Sequence, residues 1–192
     1  MNKILQLVNP KTQHYIAFKK YVMSSDMTWF RYTKQQEDNY HNYDIKSKSL
    51  FQHPKMNLNK MGDVETFISP FLGRPTSDEP YPHPQNSLEY IEGAVRTLKE
   101  ILDYNKLEVN SFLRVAANMV YPDSKVDTTF IHVDHHCPHK NMLVYLTDSG
   151  GETIVENDYH DPKEDDAIIF EGYHTHNVPK TKARIVLVAT FV

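Results

Sequence analysis

Residues 131–140 read IHVDHHCPHK and place four histidines, an aspartate and the chain's only cysteine between His132 and His139. Imidazole, carboxylate and thiolate groups hold transition metals, so metal chemistry would start here. His132-Val-Asp134 has the form H-x-D, and Asp134-His135-His136 overlaps it with the form D-H-H. In a strand, residues i and i+2 share a face, so His132 and Asp134 project together while Val133 points into the opposite layer. One imidazole and one carboxylate on neighbouring inward positions make two thirds of a facial triad for non-haem Fe(II). The third donor must come from elsewhere, and FEGYHTHNVPKTKAR (170–184) offers His174 and His176, then Arg184. A triad occupies one face of the metal and leaves three positions for a bidentate 2-oxoacid and O2. An arginine suits the far carboxylate of such an acid.

The elements that must position these groups fall into two textures. Lys11 to Ser24 spaces Tyr15, Ile16, Phe18, Tyr21 and Val22 as an amphipathic helix does. Residues 25–72 alternate aromatic and polar residues without a clean period and read as loops with short strands. RPTSDEPYPHPQN (74–86), with four prolines, must be extended or turning and reads as an ordered loop. Asn86 then opens a helix, with Glu89 completing a capping pair and Leu88, Ile91, Val95, Leu98, Ile101 and Leu102 forming one apolar stripe. From 107 onward strand follows strand: LEVNSFLRVAANMVY, TTFIHVD, NMLVYLTD, GETIVEN, DAIIFEG, HTHNV and ARIVLVATFV. The connections are too short for crossover helices, which predicts an antiparallel barrel or sandwich with the Asn86 helix packed outside.

At 192 residues the chain fits a single domain, 1–192, with 1–106 as helical and loop-rich support and 107–192 as the metal-binding barrel. One cysteine excludes an internal disulfide, and MNKILQLVNPKTQHY is too short in apolar residues for a signal peptide or a membrane span. A cytoplasmic protein is expected. With 21 basic and 25 acidic residues the formal charge is −4, so no bulk attraction to nucleic acid is expected.

From about 112 to 192 the sequence resembles iron(II)/2-oxoglutarate-dependent dioxygenases of the prolyl 4-hydroxylase-like group, above all the short bacteriophage versions. The matching residues are His132-Val-Asp134, LVYLTD with Tyr145, Gly150-Gly151-Glu-Thr153, IIFEG, a histidine shortly after it, and Arg184 opening the last strand. LRVAANMVY is similar to the strand that precedes H-x-D in the phage versions. The resemblance implies a double-stranded β-helix (jelly-roll, cupin-like barrel). It also implies Fe(II), 2-oxoglutarate and O2 as reactants, with ascorbate as a supporting reductant. The product pair would be succinate and CO2, with a substrate C–H bond hydroxylated. A peptidyl side chain is the favoured substrate, a small molecule the other, and for a phage protein the compartment is the host cytoplasm. For the third ligand, the spacing F-x-G-x-x-x-H favours His176. His174, ten residues before Arg184, is the alternative. Arg184 and Tyr145, and further Asn118 and Tyr121, are implied at the oxoacid.

Rival readings are weaker. The D-H-H form suits a phosphoesterase, but no aspartate-rich motif on parallel strands precedes it. Cys137 and the nearby histidines are too crowded for a zinc finger. His135, His136 and His139 then belong to the surface or the pocket rim. A cupin-type metal protein, isomerase or binding module, would suit His174-x-His176 but leaves Arg184 without a role. The stretch 25–85, with Trp29, Phe30 and Tyr32, could close over the metal or simply pack on the sheet.

Overall fold

The computed structural model describes residues 2–32, 51, 53–73 and 86–192. The proline-rich loop and much of the 25–85 stretch lie outside these residues, and with them the idea of a cover over the metal. The expected helices form: α1 spans Gln13–Val22 and α2 spans Leu88–Tyr104. Thr12 caps α1, its hydroxyl accepting from the Tyr15 amide at 3.2 Å. The cap of α2 differs from expectation. Ser87 is the N-cap residue, and the Asn86 amide is spent on Ser69 and Pro70 of a neighbouring strand, with its Oδ1 accepting from Tyr21. Leu88, in the first turn, is exposed rather than part of the stripe.

A seven-stranded sheet carries the molecule. Its strands are β1 (Ile4–Leu7), β2 (Phe30–Tyr32), β4 (Thr66–Leu72), β5 (Phe112–Val120), β7 (Lys140–Tyr145), β10 (Ala167–Glu171) and β12 (Arg184–Phe191), in the order β1-β10-β7-β12-β5-β4-β2. All neighbours are antiparallel. β12, RIVLVATF, is buried along its whole length between β5 and β7, which accounts for its near-continuous apolar run.

Alternation then sorts side chains between the faces. Val115, Ala117, Met142, Val144, Ala167, Ile169, Ile185, Leu187, Ala189 and Phe191 face the helices and pack with Tyr15, Phe18, Val22, Ala94, Leu98, Ile101 and Leu102. Leu143, Tyr145, Ile168, Phe170, Val186 and Val188 face the other way. Opposite that second face lies a smaller sheet, β11 (Thr175–His176), β8 (Thr153–Val155) and β9 (Asp158–His160) in the order β11-β8-β9. β6 (Thr128–Thr129) pairs in parallel with β3 (Met61–Gly62), and bridges Thr128↔Asn177 and His132↔His174 tie its run to β11. The two sheets enclose the inner face, giving the mainly β, double-stranded β-helix architecture with flanking helices. No helix among the described residues is long and apolar enough to cross a membrane.

Candidate metal centre

His132 and His174 stand directly opposite each other on antiparallel runs, each amide donating to the other's carbonyl at 2.9 Å. Two residues on, His176 falls on the same inward face. The three imidazoles therefore converge, with potential ligand atoms all within 4.8 Å of one another. Ring centroids are 4.3 Å apart for His132 and His174, 5.2 Å for His174 and His176, and 5.9 Å for His132 and His176.

Second contacts orient each ring. The Nδ1 atoms of His132 and His174 lie 2.9 and 3.1 Å from the carbonyl oxygens of Phe130 and Gly172. A carbonyl only accepts, so both rings carry their proton on Nδ1 and present Nε2 as the metal-binding nitrogen. Nδ1 of His176 instead meets a hydroxyl, Thr153 Oγ1, at 2.9 Å, and the same oxygen is 2.6 Å from the Tyr145 hydroxyl. Burial keeps His174 less basic than an ordinary histidine. Burial and then the adjacent Arg184 cation hold His176 well below the usual range, as a neutral metal ligand or a neutral donor requires.

Asp134 stands at the edge of this group. Its Oδ2 is 3.7 Å from His174 Nε2, while its Oδ1 accepts from Arg114 Nη1 at 2.8 Å. Arg114 lies on β5 and is 4% exposed, so the pair is sheltered from water and strong for an ion pair. The carboxylate thus has one oxygen engaged by a fixed cation and the other turned toward the imidazoles.

The inner face of the large sheet continues the cavity. Arg114, Asn118, Tyr145 and Arg184 line it together with His132, Asp134, His174 and His176. The Asn118 amide oxygen accepts from Arg114 Nη2 at 3.4 Å. Arg184 is 5% exposed, and its Nη1 donates to the carbonyls of Gly151 and Asn177 at 3.0 and 3.4 Å. Gly151 has φ +85°, and a Cβ there would come within 2.8 Å of the Asn177 carbonyl, so only glycine lets this backbone approach the guanidinium. Arg184 Nε has no partner, and among the described residues no carboxylate neutralises the guanidinium. Burial pushes the group below the usual arginine range and that of Tyr145 up to about 12.

Tyr121 is not brought to this cavity. β5 ends at Val120, and the inward residues are Arg114, Asn118 and Val120, so position 121 has the opposite parity to 118. Its ring is half exposed and packs on Phe67. The sequence reading missed Arg114 as a partner of Asp134 and Thr153 as a partner of His176. The even spacing Arg114-x-Ala-x-Asn118 was the available signal for the first. His135 bonds Thr190 at 2.7 Å, His139 is buried against the Cys137 carbonyl, and His136 and Cys137 are exposed.

No protein-family model matches the chain, and no curated protein does. Solved structures do match. An oxidoreductase of the 2OG-Fe(II) oxygenase family from Burkholderia pseudomallei covers 98% of this chain and 84% of its own at TM-score 0.64 and 12% identity. The non-heme alpha ketoglutarate dependent epimerase SnoN from nogalamycin biosynthesis covers 100% and 78% at TM-score 0.57 and 10% identity. SnoN has also been solved with Fe3+, alpha ketoglutarate and nogalamycin RO. A Pseudomonas putida prolyl-4-hydroxylase matches at TM-score 0.41, too low to support a subgroup. At these identities the likeness defines the class of fold, the double-stranded β-helix, which this chain shares with 2OG-Fe(II) oxygenases.

Proposed function

We propose that this protein is an Fe(II)- and 2-oxoglutarate-dependent dioxygenase that hydroxylates a C–H bond. One observation carries the reading: a buried arginine, with no carboxylate beside it among the described residues, shares a cavity with three convergent imidazoles and a carboxylate. A buried cation without a counter-charge costs stability, so it marks the place of an anionic ligand. The orphaned Arg184 Nε fits the far carboxylate of 2-oxoglutarate, and the imidazole and carboxylate donors fit iron.

His132 and Asp134 are the first two ligands, and His174 is the third that the geometry favours. It opposes His132 and lies beside Asp134, whereas the lead-in spacing favours His176. Arg114 takes one oxygen of Asp134 and thereby presents the other to the metal. Tyr145 and Asn118 form the wall along which the oxoacid lies. When bound, iron and 2-oxoglutarate supply the oxidation: O2 and the oxoacid give succinate, CO2 and one oxygen atom inserted into the substrate C–H bond. The protein orients both groups and keeps water from the buried charges.

The finer assignments rest on sequence resemblance. They are membership of the prolyl 4-hydroxylase-like group in its short phage form, a peptidyl side chain as substrate, and a cytoplasmic site of action. One observation favours a second reading, a cupin-type metal protein without 2-oxoglutarate turnover: the three imidazoles converge closely enough to hold a metal without a carboxylate. Titration decides between them. Under the first reading N-oxalylglycine tightens Mn(II) binding, and Fe(II) with 2-oxoglutarate yields succinate. If the analogue leaves Mn(II) affinity unchanged and no candidate substrate supports succinate formation, the oxygenase reading fails.

A further inference from the structure

The centre holds one donor more than the reaction can use. A bidentate oxoacid and O2 need three of six positions around iron, which leaves three for protein. His132, Asp134, His174 and His176 are four. We infer that His176 stays off the metal and donates its Nε2–H to the bound oxoacid, held in that tautomer by Tyr145 and Thr153. The inference rests on the oxoacid reading of the cavity.

Position is the first argument. His132 and His174 are locked opposite each other by reciprocal amide bonds, and Asp134 reaches His174 Nε2. The His176 ring is the one farther from both, and Arg184, which shares its cavity, bonds the carbonyl of Asn177, the next residue in the chain. It therefore stands on the oxoacid side of the cluster.

Proton counting is the second. A neutral imidazole has one N–H, and Thr153 has one hydroxyl hydrogen to share between two contacts. Two arrangements satisfy both bonds. In one, Tyr145 donates to Thr153 and Thr153 donates to His176 Nδ1, which leaves the imidazole proton on Nε2. In the other every bond is reversed, Nε2 is bare, and the Tyr145 hydrogen must find an acceptor in the cavity. His132 and His174 have no such choice, because their Nδ1 atoms face carbonyl oxygens. Of the three rings, His176 has its Nδ1 against a group able to donate, the Thr153 hydroxyl. Among the described residues Thr153 is the acceptor at hand for the buried Tyr145 hydroxyl, which selects the first arrangement. Tyr145 thus acts on the oxoacid through Thr153 and His176, and Arg184 takes the far carboxylate.

The test reads tautomers in the wild-type protein and affinities in variants. In Zn(II)-loaded protein labelled with 15N-histidine, the proton of His176 is expected on Nε2 and those of His132 and His174 on Nδ1. A His176 proton on Nδ1 overturns the inference. His174→Ala is expected to weaken Mn(II) binding by more than about 100-fold, beyond the cost of losing an outer partner. His176→Phe is expected to leave Mn(II) affinity within a few fold while weakening N-oxalylglycine by about tenfold, the value of one hydrogen bond to a charged group. If His176→Phe loses Mn(II) as His174→Ala does, His176 is a ligand and the inference falls. If wild-type protein with Mn(II) does not bind N-oxalylglycine, the oxygenase reading fails instead, and the tautomer measurement still decides whether His176 is poised as a ligand or as a donor.

Discussion

Asp165 and Arg184 are two sheltered charges with opposite surroundings. Asp165, in the turn before β10, accepts hydrogen bonds from Tyr15 and Lys19 of α1 and pairs with Lys11 at 3.0 Å. Arg184, at the start of β12, has two backbone carbonyls, an unpartnered Nε and no carboxylate among the described residues. The first charge is spent on the fold, clamping a helix to the sheet. The second costs the fold desolvation energy that two carbonyl contacts return only in part. A satisfied charge marks architecture, and an unsatisfied one marks a place kept for a ligand.

Arg114 and Asp134 lie between these cases, and breaking their pair should have the largest effect. Both side chains are nearly buried, at 5% and 11% exposure. Arg114→Met leaves the Asp134 carboxylate beside three imidazoles without its cation, and the metal-free protein should lose about 3–5 kcal/mol. Mn(II) should restore part of that loss, since the ion supplies the missing positive charge. Urea unfolding with and without Mn(II) measures both quantities. A metal-free variant as stable as wild type would mean that the pair holds nothing in place.

Arg184→Met should divide function from fold. Stability should stay within about 1 kcal/mol of wild type, because a buried charge and two carbonyl contacts are lost together. N-oxalylglycine affinity of the Mn(II) form should fall by roughly 100-fold, as when a desolvated charge loses its partner. Thermal unfolding and calorimetric titration read the two effects. A large fall in stability with unchanged analogue affinity would reverse the comparison and make Arg184 architectural.

The same contrast explains what was legible in the sequence. H-x-D and H-x-H could be read because residues two apart on a strand share a face, and Arg184 because it opens the last strand in the order the resemblance implies. The choice between His174 and His176 could not, because they share that parity; the proposal for His174 draws on the antiparallel bridge from His132 and on the nearness of Asp134. Tyr121, implied at the oxoacid along with Asn118 by the resemblance, lies outside the cavity, because three steps along a strand reverse the face. β1 passed unread, since a four-residue edge strand with exposed Leu5 has no alternating signature. The Asp165 clamp was beyond sequence reading altogether: its partners lie about 150 positions away and meet only once α1 docks.

Asp165→Asn should show the smallest of the three effects and the clearest pH signature. Burial alone would raise the carboxyl pKa, but bonds from Lys19, Tyr15 and Lys11 outweigh it and bring the value down to about 2 from an ordinary 3.8. A depressed folded-state pKa stabilises the protein above the unfolded value and ceases to do so as pH falls through the folded one. The carboxylate's contribution is therefore complete above about pH 4.5, near 2 kcal/mol, and drains away toward pH 2. Asn keeps the backbone sound at this position, where φ is +72°, because its side chain tolerates the left-handed region. The variant should thus be about 2 kcal/mol less stable than wild type at pH 7, with the gap narrowing as pH is lowered from 4.5 to 3 in parallel urea titrations. A gap that stays constant over that range would show that the clamp works through shape and neutral hydrogen bonds, and the distinction between a spent and a reserved charge would then rest on Arg184 alone.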